Sequence, residues 1–235
     1  MQQVETKTDS SLTAELIATL RSHPYRDPMF HAMREGKISR DGVKRWVLQA
    51  MLVVRDFTRF ISAIHANCPY RDAQQLLAEN LWEEHGHGDP SRDHLSLAIR
   101  MARSLGATDL EIKEAKPLPE TYDYIDHCLN VTRNGSFVEG MTAIGIGMEY
   151  SIPVFFGALA ESLERHYGIT RHDLAYLLVH VTEDAEHAAR ALTLIEKYAD
   201  TEQIRERSRR ALREMLTAKQ RFAEALFVHC SGQQV

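Results

Sequence analysis

An all-α bundle of seven or eight helices is the fold class this sequence predicts, and three observations carry the prediction. Apolar residues recur at helical spacing through most of the chain. No stretch alternates at the strand period for long enough to trust. Compact turn signals separate the periodic segments, with no repeat or low-complexity tract between them.

Taken in order, Ser11 to Arg21 reads as a first helix with Leu12, Leu16, Ile17 and Leu20 on one face, and the turn HPYRDP ends it. Ser39 is a good cap for a long second helix reaching about His65, whose inner face includes Trp46, Val47, Val54, Phe57, Ile61 and Ile64. After the turn NCPYRD, a third helix runs from about Asp72 to Glu84 or His85. GHGDP breaks the pattern. Asp89 or Ser91 then caps a helix through Leu105, with Pro90 suited to its first turn. GATDLEI opens a short helix or turn, and KPLP is the longest irregular stretch and a candidate lid or hinge. Helices over Glu120–Thr132, Ser136–His166, Arg171–Tyr198 and Thr201–His229 complete the bundle, the second of them kinked or divided at Pro153.

The 235 residues suit one domain over 1–235, with residues 1–10 expected to be disordered. A formal net charge of -5 argues against nucleic acid as a partner. No apolar run reaches the ~18 residues of a membrane span. The polar start MQQVETKTDSS is neither a signal nor a transit peptide in character. Cys68, Cys128 and Cys230 form no CxxC pair and no disulfide framework, so each reads as a small buried hydrophobe in a cytoplasmic protein. A homodimer is the default assembly.

Placement of histidine and acid carries the chemistry. In HVTEDAEH, the spacings between His180, Asp184 and His187 set all three side chains on one helix face, flanked by Leu177, Leu178, Ala188 and Leu192. Buried charge of this kind needs a partner or a metal. Glu149 stands in the nearly all-apolar run AIGIGMEYSIPVFFGALA, where only a cation makes its burial affordable; Gly145 and Gly147 allow a helix or ligand to approach. In NLWEEHGHGDPSRDH, Glu84 ends one helix and His94 begins the next, and Gly86 and Gly88 permit the reversal that would bring them together. Three carboxylates and three imidazoles suit iron or manganese better than structural zinc, and they suit two metals better than one.

These three segments resemble the haem-oxygenase-like diiron oxidase family, close to its pyrroloquinoline-quinone-synthase-like branch. HPYRDPMFHAMREGKISRDGVKRWVLQ and AIHANCP resemble its N-terminal helices. The resemblance implies a haem-oxygenase-like bundle without haem. It puts Glu84, His94, Glu149, His180, Asp184 and His187 in the ligand positions of two Fe(II) ions that activate dioxygen as co-substrate. It also implies a small carboxylic- or amino-acid substrate in specialised-metabolite biosynthesis, oxidised at a C–C or C–N bond by fragmentation, desaturation or nitrile formation. One branch makes para-aminobenzoate from its own tyrosine. That tyrosine aligns near His31 here, and that branch's lysine beyond the central glutamate has no counterpart, which argues against the same activity. Two alternatives remain: a cofactor-free oxidase of the quinone-synthase type, and a non-catalytic metal-binding protein.

Blander readings compete at several positions. Glu83 is solvated or sits behind the ligands, while Glu183 and Glu186 turn ~100° from the histidine stripe onto the surface. His85 and His87 are loop residues, and His23, His65, His127, His166, His172 and His229 are caps, surface groups or core hydrogen-bonders. Trp46, Phe57, Phe60, Phe155 and Phe156 are core, a subset of which can line a cavity. Arg55, Phe57 and Arg59 are the candidate substrate contacts, the arginines as clamps for a carboxylate, against the simpler reading of a solvated face.

Overall fold

The computed structural model describes residues 11–23 and 27–232; the expected disorder of residues 1–10 lies outside the described residues. Serine, threonine and aspartate caps set the frame. Ser11 accepts from Ala14 N at the start of α1 (Leu12–Ser22), and Ser39 from Gly42 N at the start of α3 (Arg40–Asn67). Between them lies α2 (Pro28–Arg34), a short helix absent from the sequence expectation. Asp27 caps it and Pro28 opens it, the pairing of acceptor and missing donor that starts a helix.

α4 (Arg71–Glu84) leads through a tight turn at Gly86–Gly88 to α5 (His94–Ser104). Its cap is Asp93, which accepts from Leu95 N and Ser96 N, and not Asp89 or Ser91 as expected; Asp89 instead holds a turn by accepting from Ser91. A capping box at Thr108 and Glu111 starts α6 (Asp109–Glu114), and α7 is Pro119–Asn134. The KPLP stretch between them is not free to act as a lid. Buried Gln49 donates to Lys116 O and accepts from Leu118 N and the Thr121 hydroxyl, so it clamps both sides of the segment.

The next rod has three parts: α8 (Phe137–Met141), a π-helical segment (Thr142–Glu149) and α9 (Ile152–Tyr167). Pro153 divides it as expected, falling in the first turn of α9. α10 (Ala175–Tyr198) and α11 (Glu202–Ser231) complete the chain. The long segments are therefore those the periodicity predicts, α6 is the short helix that GATDLEI opens, and α2 is the one short addition. The rod from Phe137 to Tyr167 is long and apolar enough to cross a membrane, contrary to the expectation that no run is; half of its most apolar window is buried in the bundle, and core helices pass the same test.

α10 and α11 flank the π segment, whose residues are all buried. Two glycines permit that approach. A Cβ on Gly145 would lie 2.4 Å from the Ala191 Cβ of α10, and one on Gly147 would lie 2.6 Å from Met215 Cγ of α11. One apolar cluster centres on Leu52, Phe60, Ile144, Leu194 and Leu212, and a second on Met33, Val43, Met101, Leu163 and Leu177. Cys68, Cys128 and Cys230 are all buried free thiols, as the sequence suggests, and burial pushes each thiol up.

Gly145→Ala should destabilise the fold by about 1–3 kcal/mol through overpacking against Ala191. Gly157→Ala, whose Cβ would meet only Val181 Cγ2 at 3.8 Å, should be neutral or slightly stabilising. Thermal melting of the two variants checks the contrast.

Candidate metal centre

Three chain segments deliver six side chains to one buried region. The turn after α4 is the tightest of them: Gly86, His87 and Gly88 all adopt positive φ, His87 being the one non-glycine among the described residues to do so. A Cβ at Gly86 would lie 2.5 Å from Asp93 N, so the backbone closes on itself there. The reversal brings Glu84 Oε2 to 2.7 Å from His94 Nδ1. The π segment ends on Glu149, and α10 carries His180, Asp184 and His187 one turn apart along one face.

The six form two triads. One ligand atom each from Glu84, His94 and His180 lies within 4.8 Å of the others, and the same holds for Glu149, Asp184 and His187; all six residues are buried. These are the six the sequence singled out. Hydrogen bonds from outside the triads aim the rings. His180 donates through Nδ1 to Tyr176 O at 2.6 Å, which leaves Nε2 for the centre. His187 donates through Nε2 to Glu83 Oε2 at 2.7 Å, which leaves Nδ1 facing Asp184 at 3.6 Å and Glu149 at 3.7 Å. Arg190 steadies Glu83 from behind. His94 Nε2 lies 3.2 Å from Glu183 Oε2, its Nδ1 turned to Glu84. A carboxylate behind a ligand imidazole fixes its tautomer and raises its basicity. Glu183 is thus not the surface residue expected, because α10 packs against α5 as well as the π segment. Glu186 does face solvent.

The polar atoms that converge are not satisfied by each other. Glu84 Oε1, His94 Nδ1, Glu149 Oε1, both Asp184 carboxylate oxygens and His187 Nδ1 are buried without a hydrogen-bond partner. Atoms packed this closely yet not bonded to one another are aimed at common points, and oxygen and imidazole donors in that arrangement fit a divalent transition metal. Burial opposes charge on His187, yet Asp184 and Glu149 raise its pKa to about 11; burial likewise opposes charge on His94, which Glu183 and Glu84 raise to about 10. Burial lifts Asp184 to about 6, lifts Glu149, and lowers His180. The acids hold protons on the histidines, in the place that a metal cation would otherwise take.

An apolar cavity of about 160 Å³ opens beside the triads, where the two core clusters meet. Glu149, His180 and Asp184 form one part of its wall, and Trp46, Phe57, Phe155 and Phe156 are among the aromatic side chains that line the rest. Phe57 is thus part of the cavity wall. Arg55 and Arg59 are not: neither lines the cavity, and both pair with buried Asp56, whose carboxylate they hold below its usual range against the cost of burial. Lys219 of α11, overlooked in the sequence, does line it. Its Nζ donates to Met148 O at 3.0 Å, Gly147 O at 3.3 Å and the Ser151 hydroxyl at 3.4 Å. A π helix would give Met148 O the N–H of residue 153, which is proline, and the lysine supplies the missing donor. Burial pulls Lys219 down to about 8. Its signal was there to read: Lys219, Phe222, Ala223 and Leu226 share one helix face, a cation on an apolar stripe.

The sequence profile of a family described as iron-containing redox enzymes matches residues 44–220. The chain belongs to this family. Among curated relatives, 4-aminobenzoate synthase of Nitrosomonas europaea is 27% identical over 221 residues, covering 89% of this chain and 85% of that protein. The 4-aminobenzoate synthase of Chlamydia muridarum is 24% identical over 212 residues, covering 88% of each. Among solved structures, a CADD-like protein from Nostoc punctiforme superposes with a TM-score of 0.75 at 18% identity, covering 94% of this chain and 97% of that one. A domain with a heme oxygenase-like fold from Shewanella denitrificans gives 0.73 at 14%, covering 95% and 93%. A TenA homolog from Pseudomonas syringae gives 0.74 at 15%, covering 92% and 89%. These structures establish a haem-oxygenase-like fold for this member of the iron-containing redox enzymes.

In the metal-free protein, the raised pKa values of His94 and His187 stabilise the fold fully below about 6.5, the unfolded value, and that stabilisation is lost as pH rises through 10 to 11. A metal must displace the same protons, so its binding strengthens with pH. The gap in melting temperature between metal-loaded and chelated protein should widen from pH 6 to pH 8.

Proposed function

We propose that the chain is an O2-dependent non-haem diiron oxidase that acts on a small amino- or carboxylic-acid substrate. The observation that carries this reading is the pair of buried triads with unsatisfied ligand atoms beside an apolar cavity. Glu84, His94 and His180 would hold one iron and Glu149, Asp184 and His187 the other. Three protein ligands per metal leave coordination positions open, which separates a catalytic centre from a closed structural one.

Two ferrous ions so held supply electrons to dioxygen and the oxidising power for a C–H, C–C or C–N bond. The chain's own groups do the rest. Glu83 and the Tyr176 carbonyl fix the tautomers of His187 and His180. Phe57, Phe155 and Phe156 exclude water and press the substrate's apolar body against the wall formed by Glu149, His180 and Asp184. The same wall is open to a small molecule, which favours catalysis over metal storage.

The relatives named 4-aminobenzoate synthase support a second reading, formation of 4-aminobenzoate, which the family resemblance implies would draw on a tyrosine of the chain itself. The side chain of His31, near which that branch's tyrosine aligns, is exposed, and Tyr124 and Tyr176 are the tyrosines of the cavity wall. Intact mass spectrometry separates the two readings. Oxygen exposure of the iron-loaded protein should leave the mass of the polypeptide unchanged if the substrate is a free molecule.

Anaerobic reconstitution should load close to two irons per chain, and addition of the right acid should trigger oxygen uptake. His187→Ala and Glu149→Ala should each lose the iron of their triad and the oxygen uptake with it. Glu83→Gln should keep the fold but weaken iron binding roughly 10–100-fold, because the imidazole loses its charged acceptor. Parent-like iron content and turnover in His187→Ala would refute the assignment.

A further inference from the structure

The triad of Glu149, Asp184 and His187 has a cavity on each of two sides. Glu149 and Asp184 face the apolar cavity of about 160 Å³, the front one. Glu149 and His187 also line a rear cavity of about 20 Å³ between α3, α4, the π segment and α10. Among the described residues Glu149 alone lines both, so its carboxylate stands between them. The rear wall is mostly aliphatic, with Ile61, Ile64, Leu77, Ile144 and Leu194 all buried there. Leu76 and Arg190 are the part-buried members of that lining, which sets the outer end of the cavity beside them.

Size and lining together narrow the occupant. Roughly 10–15 Å³ seats one water, so the rear cavity takes one molecule of two or three atoms and no organic acid. Water suits its volume better than its walls, because a buried water typically makes about three hydrogen bonds. His187 Nε2 and Arg190 are turned to Glu83, and Arg190 also to Glu186. Glu149 and His187 Nδ1 belong to the triad. The side chain left to hold a water is Asn80, whose Oδ1 is buried without a hydrogen-bond partner. One amide offers less than a buried water ordinarily has. A small apolar molecule needs no such contacts, and apolar cavities do take up xenon or benzene.

We propose that the rear cavity is a dioxygen pocket, entered beside Leu76 and Arg190 and separate from the front cavity that takes the organic substrate. Dioxygen is small, uncharged and apolar, and an aliphatic wall favours it over water. The pocket delivers it to the Glu149 and His187 side of the triad. A separate entry fixes an order of binding. An organic molecule seated against Phe57, Phe155 and Phe156 closes the front side of Glu149, while the rear side stays open to the gas. The use made of the gas rests on the oxidase reading; its uptake by the pocket requires no iron.

Dioxygen is paramagnetic and speeds the relaxation of methyl groups it touches, so the test reads binding directly. The full-length chelated chain, labelled at its isoleucine δ1 methyls, is compared by NMR under argon and under pressurised dioxygen. Ile61, Ile64 and Ile144 report the rear cavity and Ile152 the front one; Ile38 and Ile169, equally buried, line neither. The three rear methyls should show a relaxation gain under dioxygen that Ile38 and Ile169 lack. Leu77→Phe should abolish that gain and leave Ile152 as in the parent. Saturation with benzene, which a cavity of roughly 150 Å³ holds, should remove the gain at Ile152 and leave the rear methyls unchanged.

Equal gains at Ile144 and Ile38 in the parent would overturn the pocket. So would a water seated there, seen as nuclear Overhauser transfer from water to the Ile144 methyl. Loss of the rear gain on adding benzene would overturn the separate entry. If Leu77→Phe fails to fold, Ile144→Val decides: by widening the same space it should raise the gain at Ile61 and Ile64, and no rise would overturn the pocket. A chain that loads iron and takes up oxygen without any rear gain would overturn the pocket and keep the oxidase reading. A rear gain in a chain that binds no iron on anaerobic reconstitution would refute the oxidase reading and keep the pocket.

Discussion

Everything distinctive in this molecule follows from the cost of burying three carboxylates and three imidazoles together. An isolated ion taken into a protein interior costs several kcal/mol even after relaxation. The metal-free chain meets that cost with protons, which the acids hold on His94 and His187 far above the ordinary histidine range. A divalent cation meets it better, because it satisfies several lone pairs at once. The carboxylates behind the rings, Glu83 and Glu183, fit both situations: they accept the imidazole proton without occupying a ligand position.

The departures from regular structure gather round this centre. Three consecutive positive-φ residues close the turn between Glu84 and His94. A π segment, held between two glycine contacts, delivers Glu149. Lys219 reaches from α11 to the carbonyl that Pro153 leaves without a donor. Elsewhere the helices are ordinarily capped and packed on two apolar clusters. The regular frame supplies rigidity, and the irregular positions aim the six converging side chains.

The long helices and the six converging side chains were legible because each rests on local spacing: His180, Asp184 and His187 on one helix face, Glu149 alone in an apolar run, and two glycines between Glu84 and His94. What stayed hidden depends on packing between distant segments. Glu183 looked solvent-facing because its angle on α10 says nothing of what packs there. Arg55 and Arg59 looked like free clamps because the burial of Asp56 between them is a tertiary fact. Asp93 was passed over as a cap because Asp89 and Ser91 offer the same chemistry a few residues earlier, and only the chain path decides among them. The short α2 lacks enough periodic residues to declare itself.

The three cysteines have a consequence of another kind. Cys68, Cys128 and Cys230 are all buried, and each thiol is held in its protonated form by burial. Oxidation of sulfur to sulfenic acid and beyond proceeds through exposed thiolate. A protein of an iron-containing redox family thus keeps its most vulnerable atoms chemically silent, and wear from stray oxidant would fall first on residues such as Met148 in the cavity wall.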